Sequence, residues 1–167
     1  MPSMHSILVP PLVHTMNAIA KVLAKGEAFA AERKIDPAVL LDYRLAPDMF
    51  ALTRQVQVMS DTAKGAAARL AGVEVPKYED TEKTFAELKA RIDKTVAFMQ
   101  GLKPQAFDGA DTRDVTVPIG GKPTVFKGLD YLNGSVFPNF YFHATTAYAI
   151  LRHCGVAIGK RDFLGRA

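Results

Sequence analysis

The chain has a single cysteine, Cys154, in 167 residues. An internal disulfide is thereby excluded, and the usage fits a reducing compartment. Cys154 itself reads as an inert core thiol. No apolar run reaches the ~20 residues that a membrane span needs, so no membrane partner is expected. The opening residues, MPSMHSILVPPLVHTM, show no basic leader and no small-residue cleavage site, so no signal peptide is read there. The expected location is cytoplasmic. Internal repeats and low-complexity tracts are absent. So are a GxSxG elbow, a P-loop, a GxGxxG turn and an HExxH pair, which removes the usual motif-borne catalytic machineries. The net charge of +4 and pI near 9.2 are only a weak nucleic-acid signal. Basic residues are interspersed with acids, as in Lys83, Glu87 and Arg91. The densest cluster is the tail with Lys160, Arg161 and Arg166. With no basic stripe interleaved with aromatics, no nucleic-acid partner is expected.

What remains is globular. The chain is 49% hydrophobic and 23% charged, and its length suits one domain, residues 1–167, with a real core. Four long helices stand out by period. The first spans about Met4–Arg33, with Leu8, Leu12, Met16, Ile19, Val22 and Leu23 on one side. Pro10 and Pro11 remove donors there, so a kink or a start delayed to Pro10 is expected. Asp36-Pro37 reads as an N-cap and first residue of a short helical turn. The second long helix is placed at Pro47–Ala71, with Met49, Leu52, Val56, Met59, Ala63, Ala66, Ala67 and Leu70 in a narrow stripe and Gly72 as its stop. The third is placed at Thr81–Gln100, capped by Asp80 or Thr81. The fourth runs Phe137–Cys154, with Pro138 in its first turn and Gly155 after it. A helical turn at Lys127–Leu132 precedes it, separated by Asn133-Gly134.

Between the third and fourth helices, DVTVPIGGKPTVFK (114–127) alternates around Gly120-Gly121. That is a two-residue hairpin signature. Pro118 and Pro123 cannot donate to a ladder, so each is expected at an unpaired edge. Two strands alone are marginal, so the hairpin must lean on the helices. The fold class is therefore all-α in the main: an up-and-down four-helix bundle with a small β-hairpin in the crossover before the last helix.

The residue that raises the question of function is His143. At about 3.6 residues per turn it shares a face with Val136, Phe140, Ala147, Ile150, Leu151 and Cys154. A polar ring on that stripe is a satisfied core histidine, a ligand-pocket residue without metal, or a metal ligand. Asp48 is placed on the buried side of helix two, in line with Leu52 and Met59, or else serves as a first-turn carboxylate facing the helix dipole. Gln55, at the edge of the same stripe, is positioned to hydrogen-bond a ligand or His143. His14 shares a helix side with Lys21 and Lys25 and reads as exposed, though the proline pair could rotate it inward. His5 precedes the regular helix. His153, ten residues past His143, has no same-face spacing for a shared metal.

Three segments, YRLAPDMFAL (43–52), NFYFHATTAYAILR (139–152) and GVAIGKRDFLG (155–165), together with the helix pattern, resemble the DinB/YfiT-like superfamily of metal-dependent four-helix proteins. The likeness is strongest to a domain-of-unknown-function branch. The resemblance implies a divalent metal in the bundle, held by a histidine of helix two and an HxxxH pair of helix four. His143 is similar to the first histidine of that pair. Ala147 stands at the second, and helix two has no histidine. The expectation is therefore no resident cofactor, with His143, Asp48 and His14 as the candidate ligands if a divalent metal does bind. The functional expectation is a small-ligand-binding or interaction protein with a degenerate metal site. The alternative is a metal- or thiol-cofactor-dependent transferase or hydrolase. The aromatic residues Phe142, Tyr141 and Tyr148, with Thr146 and Ala149, lie off the main stripe. They are expected to meet the hairpin or a second subunit, and they suggest a homodimer built on the outer face of the last helix.

Overall fold

A computed structural model describes residues 3–166. The first helix, α1, spans Met4–Arg33 without interruption. Ser3 caps it, its hydroxyl accepting from the Ser6 amide at 3.1 Å. The delayed start expected at Pro10 does not occur. Pro10 is exposed and Ser6, whose carbonyl it leaves unbonded, is exposed too, so that carbonyl reaches water. Burial of Met4, Leu8, Val9 and Leu12 on the opposite side holds the first turns in place. A short helix α2, Pro37–Leu41, begins as read from the sequence. Asp36 accepts from the Ala38 amide at 3.0 Å and Pro37 stands in its first turn.

Helix α3 spans Leu52–Ala71 and starts five residues later than expected. Residues 42–51 form a folded loop instead. Leu52 donates its amide to the Tyr43 carbonyl at 3.0 Å, and Arg44 donates to the Met49 carbonyl at 2.7 Å. These bonds close the loop, so Pro47 lies outside the helix. Gly72 ends α3 with φ of 69°, a left-handed stop that glycine adopts without strain. Helix α4 spans Phe85–Gly101, and its cap is Thr84, not Asp80 or Thr81. Thr84 accepts from the Glu87 amide at 3.1 Å while Glu87 accepts from the Thr84 amide at 3.0 Å, a reciprocal capping box.

After a single 3-10 turn, Pro104–Phe107, strands β1 (Asp114–Ile119) and β2 (Lys122–Lys127) form the hairpin. Gly120 and Gly121 have φ of 57° and 79°, as a type I′ turn needs. Pro118 and Pro123 are cross-strand partners. They follow the turn-closing pair Ile119 and Lys122, so they occupy a position whose amides point away from the partner strand. Val115 and Val117 are buried, so the hairpin leans on the helices through one face.

A short helix α5, Gly128–Tyr131, runs through a wide π-type turn, Leu132–Val136, directly into helix α6, Phe137–His153. The break expected at Asn133-Gly134 is absent. The chain widens by one residue just before Pro138, where the donor to the fourth preceding carbonyl is missing. Leu132 and Val136 stay buried across the wide turn. The last helix, α7, Lys160–Phe163, packs on α1, with Asp162 paired to Lys25.

The long helices form a closed ring. Helix α1 lies against α4 and α6, and α3 lies against the same two. Their stripes meet in one core, in which Leu12, Met16, Leu52, Met59, Leu88, Ile92, Met99 and Phe140 are fully buried. By length and composition α1 is apolar enough to cross a membrane, which a count of unbroken apolar runs does not detect. Most of that apolar stretch is buried against the other helices, as a core helix of a bundle requires.

Candidate functional site

Two polar centres interrupt this core. The first lies where the 42–51 loop crosses the start of α3 and the middle of α6. Gln55, in the first turn of α3, is 1% exposed, and His143 is 6% exposed. Gln55 donates its side-chain amide to the Phe50 carbonyl at 3.0 Å. That bond fixes which end of the side chain faces His143. The Gln55 Oε1 oxygen therefore accepts from His143 Nδ1, 2.7 Å away. With the proton assigned to Nδ1, the neutral ring leaves Nε2 as a bare acceptor. Nε2 has no hydrogen-bond partner among the described residues, yet it is not sealed from solvent.

His143 lines an open pocket of about 200 Å³ together with Asp48, Met49, Phe50, Gln55 and Phe142. Phe50 lies nearly parallel to the His143 ring, with centroids 6.4 Å apart, and Phe142 stands edge-on at 5.1 Å. Both phenylalanines are half exposed, 49% and 55%, and form the rim. Burial pushes the His143 pKa below its usual value, and the nearby Arg54 charge adds to the shift. Arg54 lies 5.7 Å from the Phe50 centroid and is paired with Asp80.

The structure thus brings Asp48, Gln55 and His143 to one cavity. Asp48 arrives from the loop and is exposed, not from a buried helical face. His14 is elsewhere. It is exposed on α1, and its Nε2 lies 2.9 Å from the Leu164 carbonyl. His5 packs against Phe107 and His153 against Tyr43. Phe50 and Phe142 are pocket walls that the helical pattern does not reveal, and Met49, expected on the buried stripe of helix two, comes instead from the loop. Phe142 flanks His143 and is 55% exposed. One residue before the histidine, it leans across the same rim as Phe50.

A divalent metal in this bundle needs about three converging donors. Ala147, one turn beyond His143, is buried and offers none. Gln55 Oε1 is committed to Nδ1. Among the described residues no three His, Cys, Asp or Glu side chains gather as a metal site requires. The residues present do not fit the superfamily's metal, and no chemistry is derived through one. Cys154 is no substitute nucleophile, since it is half-buried and burial raises its thiol pKa.

The other polar centre lies between α3, α4 and the 73–84 loop. The Arg91 side chain, 4% exposed as a residue, donates Nη1 to the Glu79 carbonyl and to Glu82, both at 3.0 Å. Its Nη2 reaches Asp61 at 2.8 Å and Asp80 at 3.0 Å. Lys64 pairs with Asp61 at 2.8 Å and stands 3.9 Å from the centre of the Tyr78 ring, with Lys94 at 4.2 Å from the same ring. Gln57 donates to Glu82 at 2.9 Å, and Ser60 and Thr95 share a buried hydrogen bond of 2.8 Å. Burial raises the Glu82 pKa, but the bonds from Gln57 and Arg91 outweigh it and hold the carboxyl low. These groups pin a loop without secondary structure to the bundle.

Fold and site together define a DinB-like helical protein with a nearly buried imidazole–glutamine pair beside a pocket. A family model described as a domain of unknown function, DUF1993, matches residues 4–164. The chain belongs to that family. It is also similar to the crystal structure of a DinB family member protein from Shewanella denitrificans, with a TM-score of 0.90 and 41% identity. That likeness covers 97% of this chain and 92% of that chain. No curated protein matches the chain.

Proposed function

We propose that this DinB-like protein binds a small ligand in the His143 cavity and has a degenerate metal site. The carrying observation is the unpartnered Nε2 of a His143 ring that is 6% exposed and lines a pocket with two half-exposed phenylalanines. An acceptor that the protein leaves unpartnered beside two aromatic rings offers a guest one polar contact and two apolar walls. The absence of a third donor group among the described residues and the committed Gln55 oxygen support binding without a metal. The lone, half-buried cysteine supports a reducing, cytoplasmic setting.

Elemental analysis of protein purified without a histidine tag tests the metal half of this reading. No tightly held transition metal is expected, and close to one equivalent of nickel, zinc or iron per chain overturns it. The cavity half is tested by titrating small-molecule fragments against the folded protein and following the His143 ring by NMR. A homodimer remains part of the proposal on narrower support. Thr146 is buried and Tyr148 packs on Phe163 of the tail, so the open aromatic surface of α6 shrinks to Phe142 beside Phe50. Light scattering at micromolar concentration tests it, a mass of 18.2 kDa that does not grow on concentration excluding the dimer.

A further inference from the structure

The side-chain groups left free around the cavity are of one kind. His143 Nε2 is an acceptor. Asp48 is exposed at the rim and makes no ion pair or side-chain hydrogen bond with another described residue. Gln55 has both ends engaged, with His143 and with Phe50. Of the cations beside the pocket, Arg54 lies over Phe50 and is held by Asp80, and Arg44 donates to the Met49 carbonyl. Among the lining side chains no free donor faces an anion, while two acceptors, one of them charged, await donors. The walls are aromatic rings, which attract a cation that approaches within about 6 Å of a centroid.

We propose that the occupant is a small organic cation, a primary ammonium ion bearing a short apolar group. It donates N–H to His143 Nε2 and to the Asp48 carboxylate, with its apolar part against Phe50 and Phe142. This rests on the small-ligand reading above and adds its charge and polarity. A bare metal ion is a poor match, because two convergent side-chain donors fall short of its shell. A carboxylate or phosphate meets two acceptors and no partner.

The test compares three probes of one size, butylammonium, butanol and butyrate, titrated near neutral pH into the full chain and followed by NMR at Phe50, Gln55, Phe142 and His143. Butylammonium is expected to shift these signals and to bind about tenfold tighter than either of the others. Asp48→Asn is expected to lower that affinity about fivefold or more with an unchanged melting temperature, since the side chain is exposed. Equal or tighter binding of butyrate or butanol at the same signals overturns the cation and leaves the pocket standing. An unaltered affinity in Asp48→Asn also overturns it. If the signals of the folded protein respond to none of the three, the pocket reading falls with it.

Discussion

The two polar centres of this bundle differ in how completely they are paired. Around Arg91, three carboxylates and a backbone carbonyl take up both terminal nitrogens, and only Nε lacks a partner, sealed from solvent. Around His143, which lines a pocket, one bond is made, to Gln55, and the other nitrogen has no partner among the described residues. The Arg91 centre is turned inward and fastens the 73–84 loop to α3 and α4. The His143 centre opens outward between two phenylalanines. Both terminal nitrogens of Arg91 are engaged in fastening the fold, and breaking that pairing leaves uncompensated charge. His143 keeps an acceptor that no described residue uses and that solvent or a guest can reach.

The largest effect that separates them is expected from Arg91→Ala. Removing the guanidinium strands Glu82, Asp61 and Asp80 against one another and frees the loop. A loss of about 3 kcal/mol or more is expected in urea unfolding. A loss under about 1 kcal/mol would show that the network is surface decoration and would dissolve the contrast. His143→Ala should cost less, about 1–3 kcal/mol, from a small cavity and an orphaned Gln55 oxygen. A cost equal to that of Arg91→Ala would make His143 a structural group first.

The same contrast is unevenly legible in the sequence. Helical stripes such as Leu52, Val56 and Met59 or Leu88 and Ile92 are periodic, and the structure buries them fully. The hairpin and its glycine turn follow from local chemistry and occur at the expected residues. The start of α3 differs from expectation because it is set by tertiary bonds, Leu52 to Tyr43 and Arg44 to Met49, which no local pattern encodes. Asp48 lies on the loop and not on a helix face, so its arrival at His143 follows from loop closure and not from the spacing that suggests it. The Arg91 centre is hidden, since Arg91 reads with Lys83 and Glu87 as scattered surface charge. A signal exists all the same: Arg91 is three residues past Leu88 and four before Thr95, both fully buried, on the inward side of α4.

Acid should take the two centres apart in sequence. The folded pKa of His143 lies below the ordinary 6.5, so between the two values the unfolded chain binds the extra proton. Its contribution to stability is whole above pH 6.5 and declines as pH falls from there toward the folded value. Arg54 is the charged group that acts on this ring, and Asp48 lines the same pocket. The carboxyl of Glu82 is held below its ordinary 4.5, so its contribution is present above that value and is lost as pH falls through the folded one. Urea midpoints measured from pH 7.5 downward should therefore fall in two stages, each smaller than the corresponding alanine variant. The upper stage should vanish in His143→Gln and persist in Glu82→Gln. An upper stage that survives in His143→Gln assigns it to another group.

The smallest effect comes from two aspartates of one kind. Asp61 is 36% exposed by side chain and bridges Lys64 and Arg91. Asp48 is also exposed and pairs with no described side chain. If pairing, and not burial alone, divides the two centres, replacing each by asparagine should give unequal results. Asp61→Asn keeps the shape but weakens two charge-assisted bonds to nearly buried cations, for an expected loss of about 1 kcal/mol. Asp48→Asn removes a charge that no part of the fold uses, and its stability change should stay within about 0.5 kcal/mol. Thermal unfolding at pH 7.5 and low salt measures both. A large loss in Asp48→Asn would mean that its carboxylate is needed to close the 42–51 loop. The free acceptor at the rim would then be a structural group, and the His143 cavity would lose the one charge that makes it selective.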